Sequence, residues 1–240
     1  MDLSDPTGAV TPTLDGPVLA VLAVAGRPLT VGDVARIAAR GSEIGIRRCL
    51  ARLVEQGIVR ATLVGRNQVH ELNREHVAAE VALALAGLRT ELWRRMRDDI
   101  QSWRVKPLYA CVFGSAARGD GDEASDIDVL LVRPPFPGEK PPSDLSRGVR
   151  AQLADSAARF VLGSAELEPE AKWETRVDAL RDRVKAWTGN ELQVVDLSFF
   201  EWRHPPKQHQ RLFAEIRRER IDLTKARGVS VWPATETAHG

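Results

Sequence analysis

The sequence predicts an α+β protein of two parts joined by a long helix. Residues 17–74 combine short helix-type apolar patterns with two β segments, and residues 105–224 mix short apolar β runs with longer helical patterns. Residues 75–104 between them repeat apolar side chains at steps of three or four. A chain of 240 residues, of which 43% are hydrophobic, is long enough to bury a core without disulfide bonds.

The composition excludes several classes of protein. The 34 Lys and Arg residues nearly balance the 33 Asp and Glu residues, so any surface that binds nucleic acid must be local. The two cysteines, Cys49 and Cys111, are too few for a disulfide framework or a Cys-rich zinc site, and they favour a reducing, cytoplasmic location. No apolar stretch approaches the roughly 20 residues that span a bilayer, so we expect no membrane partner.

The first part begins with residues 1–16, which are rich in Asp, Pro, Thr and Gly and are expected to form a flexible leader. Residues 17–74 then predict three helices. The first is short and apolar, and Thr30 and Ser42 are placed to cap the second and the third. The third helix should run over residues 43–56, with its apolar side chains on one face.

A β-hairpin is predicted directly after these helices. Gly57 is placed to end the third helix, and residues 58–64 and 68–72 form two short β segments around a Gly-Arg-Asn turn. Three helices followed by a hairpin resemble the winged helix-turn-helix family, and residues 29–35 and 46–59 carry the resemblance.

The winged-helix segment is locally basic. Residues 27–74 hold nine Arg and four acidic residues, although the whole chain is nearly neutral. A basic recognition helix and a basic wing tip are typical of duplex binding, so residues 17–74 are predicted to bind DNA. The predicted nucleic-acid-binding residues are Arg47, Arg48, Arg52 and Arg66. A packing or dimerisation module is the alternative interpretation.

The long helix is predicted over residues 73–104, with Asn73 as its N-cap. Its apolar residues should form one buried stripe, made of Val77, Val81, Leu85, Leu88, Leu92, Met96, Ile100 and Trp103. Core packing is the expected role of this stripe, and the seam of a homodimer is the alternative.

The second part should contain a small sheet and several helices. Strands are predicted for three apolar runs, at residues 108–113, 127–132 and 192–197. Helices are predicted at about residues 144–162, 170–188 and 207–219, and a tail without regular structure at 225–240.

The residues that suggest chemistry lie around the first two of these strands. Gly114 and Ser115 lie where a strand should turn into a helix, a place that lets the backbone approach a phosphate. Asp126 and Asp128 occupy alternate positions on the next strand, so both carboxylates project from one face. Two adjacent carboxylates repel each other unless a cation neutralises them, and Mg²⁺ is commonly held by carboxylates and substrate phosphates.

Residues 112–119 and 125–132 resemble the signature of the DNA polymerase β-like nucleotidyltransferase superfamily. That signature is a Gly-Ser pair, a spacer of about ten residues and an Asp-hydrophobic-Asp triplet. The segments Ser-Ala-Ala-Arg-Gly and Ser-Asp-Ile-Asp are similar to those of the small bacterial nucleotidyltransferases of the MNT type.

The resemblance implies a small mixed sheet flanked by helices, with Asp126 and Asp128 as catalytic metal ligands for two Mg²⁺ ions. It also implies a nucleoside triphosphate (NTP) as substrate, attack of an acceptor hydroxyl on the α-phosphate and release of pyrophosphate. The acceptor would be a protein, an RNA or a small molecule. The residues expected to contact the nucleotide are Gly114, Ser115, Arg118 and Ser125.

Two further residues have two interpretations each. Many members of the superfamily carry a third carboxylate on a neighbouring strand, which makes Asp196 a candidate catalytic residue and metal ligand. A strand-end acid that meets water is the alternative interpretation of Asp196. Arg118 could bind phosphate or form a salt bridge with Asp120 or Asp122.

A DNA-binding regulator whose second part only senses nucleotide is the alternative function. A component of a toxin–antitoxin pair, with a HEPN-type partner protein, is a narrower version of it. An aminoglycoside-modifying role is less consistent with the sequence, because a winged helix is not expected in that group.

Overall fold

The computed structural model describes residues 1–158, 169–205 and 209–224 of the chain. The chain divides into two compact units, which we call unit 1 and unit 2. Unit 1 comprises Met1–Leu92 together with Asp122–Ala124, and unit 2 comprises the remainder of the chain. No helix of the described residues is long and apolar enough to cross a membrane.

Unit 1 contains helices and a three-stranded antiparallel sheet whose strand order is β1-β3-β2. Its elements, after a 3₁₀ helix at Pro6–Ala9, are α1 (Asp15–Val24), β1 (Leu29–Thr30), α2 (Val31–Ile37), α3 (Glu43–Glu55), β2 (Val59–Val64) and β3 (Asn67–Leu72). The sequence pattern missed β1, which is only two residues long and pairs with β3.

The local signals for α2 and α3 are confirmed. The Thr30 hydroxyl accepts a hydrogen bond from the Asp33 amide, and the Asp33 carboxylate accepts one from the Thr30 amide, so the two residues form a capping box. The Ser42 hydroxyl accepts from the Gly45 amide at the start of α3. Gly57 follows α3 with a φ of +78°, a conformation that favours glycine.

Several contacts anchor the first 16 residues to the rest of unit 1, so the prediction of a flexible leader is wrong. Leu3 is buried, and Asp5 forms an ion pair with Arg40 at 2.6 Å. The Arg40 guanidinium also donates hydrogen bonds to the main-chain carbonyls of Thr11, Pro12 and Thr13. One arginine from the turn before α3 therefore holds the segment in place, and composition alone could not reveal this contact.

The long helix α4 is Ala79–Ser102, so it begins six residues later than the sequence predicts. Asn73 is not its N-cap, because its side-chain amide instead donates to the Gly57 carbonyl at 2.9 Å. Val77 and Val81 are exposed, so the N-terminal part of the predicted stripe is not buried. The boundary between the two units falls within this helix.

Unit 2 has a four-stranded sheet of order β6-β5-β4-β7, in which β5 and β6 are parallel and the other pairs are antiparallel. Its elements after α4 are β4 (Tyr109–Phe113), α5 (Gly114–Arg118), β5 (Ile127–Arg133), α6 (Arg147–Ala157), α7 (Pro169–Thr188), β6 (Leu192–Ser198), α8 (Phe199–Arg203), α9 (Gln210–Arg218) and β7 (Ile221–Asp222). The three predicted strands are confirmed, while α8 and β7 were missed.

Some sequence predictions concern residues outside the described part of the chain. They are the end of the helix predicted at 144–162, the first residues of the helix predicted at 207–219 and the tail at 225–240.

One face of the unit 2 sheet is covered by apolar side chains of α8 and α9. Phe113 and Leu130 on the strands pack in one buried cluster with Trp202, Phe213 and Ile216.

Candidate nucleotide and metal site

The turn from β4 into α5 brings the main chain against a carboxylate. Gly114 is buried and has a φ of +68°. A β-carbon built on Gly114 would lie 2.6 Å from Oδ2 of Asp128, a distance that real β-carbons do not tolerate. The backbone conformation and the space both therefore require glycine at this position.

The two aspartates lie on one face of the sheet. Asp128 is the second residue of β5 and pairs with Phe113 of β4, while Asp126 immediately precedes the strand. Asp126 is exposed and Asp128 is half-buried. Burial raises the pKa of Asp128, the negative charges of Asp126 and Glu215 raise it further, and Arg118 opposes them. The predicted pairing of the two carboxylates is thus present, and their repulsion favours a bound cation.

A glutamine that the sequence interpretation missed lies beside this pair. In the parallel register of β5 and β6, Gln193 is the partner of Asp128, so its side chain projects from the aspartate face. The Gln193 amide donates to Oδ2 of Asp126 at 3.3 Å. Alternation along β6 could have placed Gln193 and Leu197 on one face, but only the register shows which face that is.

The loop before β5 is fixed from two sides. The buried Asn190 donates from its side-chain amide to the Ser125 carbonyl at 2.9 Å. On the other side, a β-carbon on Gly121 would lie 3.1 Å from the Ser115 hydroxyl and 3.3 Å from the β-carbon of Ser125. The structure therefore brings Ser115 and Ser125 to the same small region, next to the start of β5.

Arg118 is paired with carboxylates from two elements. It donates from Nε to Asp120 at 2.9 Å, and its Nη1 lies 3.4 Å from Glu215 and 3.5 Å from Glu219 on and after α9. The structure therefore contains the Arg118–Asp120 salt bridge, which is one of the two interpretations of Arg118 given by the sequence. The α9 acids were missed, because nothing in their local sequence relates them to α5.

The structure does not bring Asp196 to the aspartate pair. Asp196 is the register partner of Leu131, three positions after Gln193, so it projects from the opposite face of the sheet. There its carboxylate accepts a hydrogen bond from Nε1 of Trp173 at 2.7 Å. Asp196 is exposed at the surface, yet partial desolvation raises the pKa of its carboxyl, and the Trp173 hydrogen bond opposes that shift. The prediction that Asp196 is a third metal ligand is therefore wrong.

The donor set at Asp126 and Asp128 fits one magnesium ion held jointly by protein and substrate. Among the described residues, no group of three or more His, Cys, Asp or Glu side chains could hold a metal ion alone. Mg²⁺ is usually bound by one or two carboxylates, several waters and substrate phosphates. Two carboxylates at the start of β5, one of them beside the Gly114 main chain, meet that description.

A cysteine nucleophile is inconsistent with the environment of Cys111, which is fully buried in β4. Burial raises the pKa of its thiol to about 12, so the thiolate is scarcely populated near neutral pH.

The four arginines predicted to bind nucleic acid are all exposed in unit 1. Arg47 pairs with Glu43 at 2.9 Å, and Arg52 pairs with Asp15. Within the described part of the chain, Arg48 on α3 and Arg66 in the hairpin turn show no ion pair. Half of the predicted set is therefore neutralised locally.

Residues 91–202 match the family model described as "Nucleotidyltransferase domain". The match spans the Gly114 turn, both aspartates and Gln193, and it ends before α9. No curated protein matches the chain. The predicted nucleotidyltransferase domain of the polymerase β-like superfamily is thus confirmed over this range, and the MNT type and the winged helix-turn-helix remain predictions.

Proposed function

We propose that unit 2 transfers a nucleoside monophosphate from an NTP to a hydroxyl group of a protein, RNA or small-molecule acceptor. The observation that carries the proposal is the pair of aspartates at the start of β5, of which Asp128 lies against the Gly114 main chain, in a domain that matches the nucleotidyltransferase family. A cytoplasmic location, expected from the composition, is part of the same proposal.

In this proposal Asp126 and Asp128 hold Mg²⁺, which supplies charge neutralisation at the phosphates. The main chain at Gly114 and the Ser115 hydroxyl orient the phosphates. The acceptor oxygen attacks the α-phosphorus, the bond from that phosphorus to the bridging oxygen breaks, and pyrophosphate leaves with that electron pair. The acceptor proton passes to solvent or to a carboxylate of the site. A second Mg²⁺ would need donors other than Asp196, which lies on the opposite face of the sheet.

The direct test is transfer of label from each of four α-labelled NTPs, with Mg²⁺, to total RNA, to protein extract and to small molecules. Asp126→Asn and Asp128→Asn should each abolish transfer. Asp182→Asn is a matched control, because Asp182 is an exposed acid of α7 outside the site. Full transfer by both site variants would refute the assignment. If the chain binds nucleotide but releases no pyrophosphate with any of the acceptor pools, the result would favour the alternative function, a DNA-binding regulator that only senses nucleotide.

For unit 1 we propose nucleic-acid binding by a winged helix made of α1–α3 and the β2–β3 hairpin. The support is the excess of Arg over acidic residues in 27–74 and the exposed Arg48 and Arg66. Arg48→Ala with Arg66→Ala should weaken duplex binding and reduce the salt-dependence slope by about one for each phosphate that the variant no longer neutralises. Arg150→Ala on α6 is the control. If the wild-type chain does not bind DNA, or binds it independently of salt, the result would favour the alternative that unit 1 is a packing module. Its partner would then be a second copy of the chain or a HEPN-type protein.

A further inference from the structure

Gln193 lies at the edge of the unit 2 sheet, directly beside the aspartate pair. It belongs to β6, the outermost strand next to β5, and both it and Asp126 are exposed. Its register partner is Asp128, while its hydrogen bond goes to Asp126 at 3.3 Å. A single side chain from the neighbouring strand therefore touches one of the two carboxylates and lies alongside the other.

The chemistry of this contact differs from that of an acid at the same place. A neutral amide N–H that donates to a carboxylate forms a charge-assisted hydrogen bond and fixes the rotation of the acceptor. Because Gln193 engages Oδ2, the Oδ1 atom of Asp126 remains for another partner. A carboxylate at position 193 would add a third negative charge to a pair that already repels.

We propose that Gln193 is a positioning residue that orients the Asp126 carboxylate for a divalent cation and limits this edge of the sheet to two carboxylates. The inference rests on the proposed function of the aspartate pair. It assigns to Gln193 the place beside the pair that the family resemblance suggested for Asp196, which lies on the other face.

The test measures binding of Mn²⁺ alone to the full chain by electron paramagnetic resonance, which does not depend on turnover or on the base of the NTP. Gln193→Met keeps the length of the side chain but removes the donor, and we expect Mn²⁺ affinity to fall by about tenfold, the scale of one charge-assisted hydrogen bond. Gln193→Glu adds a carboxylate beside the pair and should raise the affinity for Mn²⁺ alone. Gln68→Met is the control, because Gln68 is also an exposed glutamine on a strand.

The outcomes separate this inference from the proposed function. Thermal unfolding should be unchanged in all three glutamine variants, since both side chains are exposed. If Asp126→Asn loses Mn²⁺ binding but Gln193→Met matches the control, the positioning role is overturned and the metal site stands. If Gln193→Glu leaves Mn²⁺ affinity unchanged or lowers it, the placement of Gln193 beside the cation is overturned. If Asp126→Asn binds Mn²⁺ as the wild type does, both proposals fail.

Discussion

Replacing Gly114 by alanine should destabilise unit 2 by about 2–4 kcal/mol, in two separable parts. A non-glycine residue at a φ of +68° costs about 1–2 kcal/mol. The remainder comes from the new β-carbon, which would lie 2.6 Å from Oδ2 of Asp128 and must displace that carboxylate. The second part also moves a proposed metal ligand, so Mn²⁺ binding should disappear together with stability.

Gly138 provides the matched control. Its φ is +84°, and a β-carbon there would meet no atom within 4 Å, so Gly138→Ala carries only the backbone cost. Both variants are compared with the wild type by urea unfolding followed through tryptophan fluorescence. All six tryptophans occur at or after position 93, where unit 2 begins, so the emission reports on this unit.

Asp128→Ala removes the clashing carboxylate and completes a double-mutant cycle. In that background, Gly114→Ala should cost no more than Gly138→Ala does in the wild type. If Gly114→Ala and Gly138→Ala destabilise the wild-type protein equally, the close approach of the Gly114 backbone to Asp128 does not exist, and the geometry of the site is refuted.

Two other substitutions test the opposite sheet face and unit 1. Asp196→Leu should destabilise unit 2 by about 1–3 kcal/mol, because the buried Trp173 indole N–H loses its acceptor. The same substitution should leave Mn²⁺ affinity unchanged. A fall in Mn²⁺ binding would show that Asp196 is a metal ligand after all. Burial lowers the pKa of His70, so the folded form favours the neutral imidazole and the unfolded chain takes up the proton first as pH falls below 6.5. The protection of unit 1 amides against hydrogen exchange, corrected for the intrinsic pH dependence of exchange, should therefore fall below that pH in the wild type but not in His70→Phe. An equal fall in both proteins would contradict this assignment.

The sequence was sufficient where a signal is local. The capping of α2 depends on Thr30 and Asp33, three residues apart, and both the cap and its partner are visible in the sequence. The common face of Asp126 and Asp128 follows from the alternation expected two residues apart at the start of a strand, and Gly114 marks the turn before them. Such features need no knowledge of how distant segments pair.

The role of Asp196 could not be predicted because it depends on register. Alternation shows that Asp196 and Gln193 face opposite ways, since they are three residues apart, but not which of them shares a face with Asp128. Pairing of Ile127 with Leu192 settles the question in favour of Gln193. A shift of one residue in that pairing would have turned Gln193 away from the face that holds Asp128 and turned Asp196 toward it.

The ion pairs of Arg118 constrain how a triphosphate can be neutralised in this site. Its guanidinium lies against Asp120, Glu215 and Glu219, so three carboxylates already surround one positive charge. Glu215 also adds negative potential at Asp128. Glu219 also pairs with Arg218 at 3.2 Å. In the proposed site, Arg118 would therefore have to exchange partners in order to bind a triphosphate. If the proposed site holds a divalent cation, that cation would balance much of the phosphate charge, and the proposed orientation of Asp126 by Gln193 would then affect nucleotide binding as well.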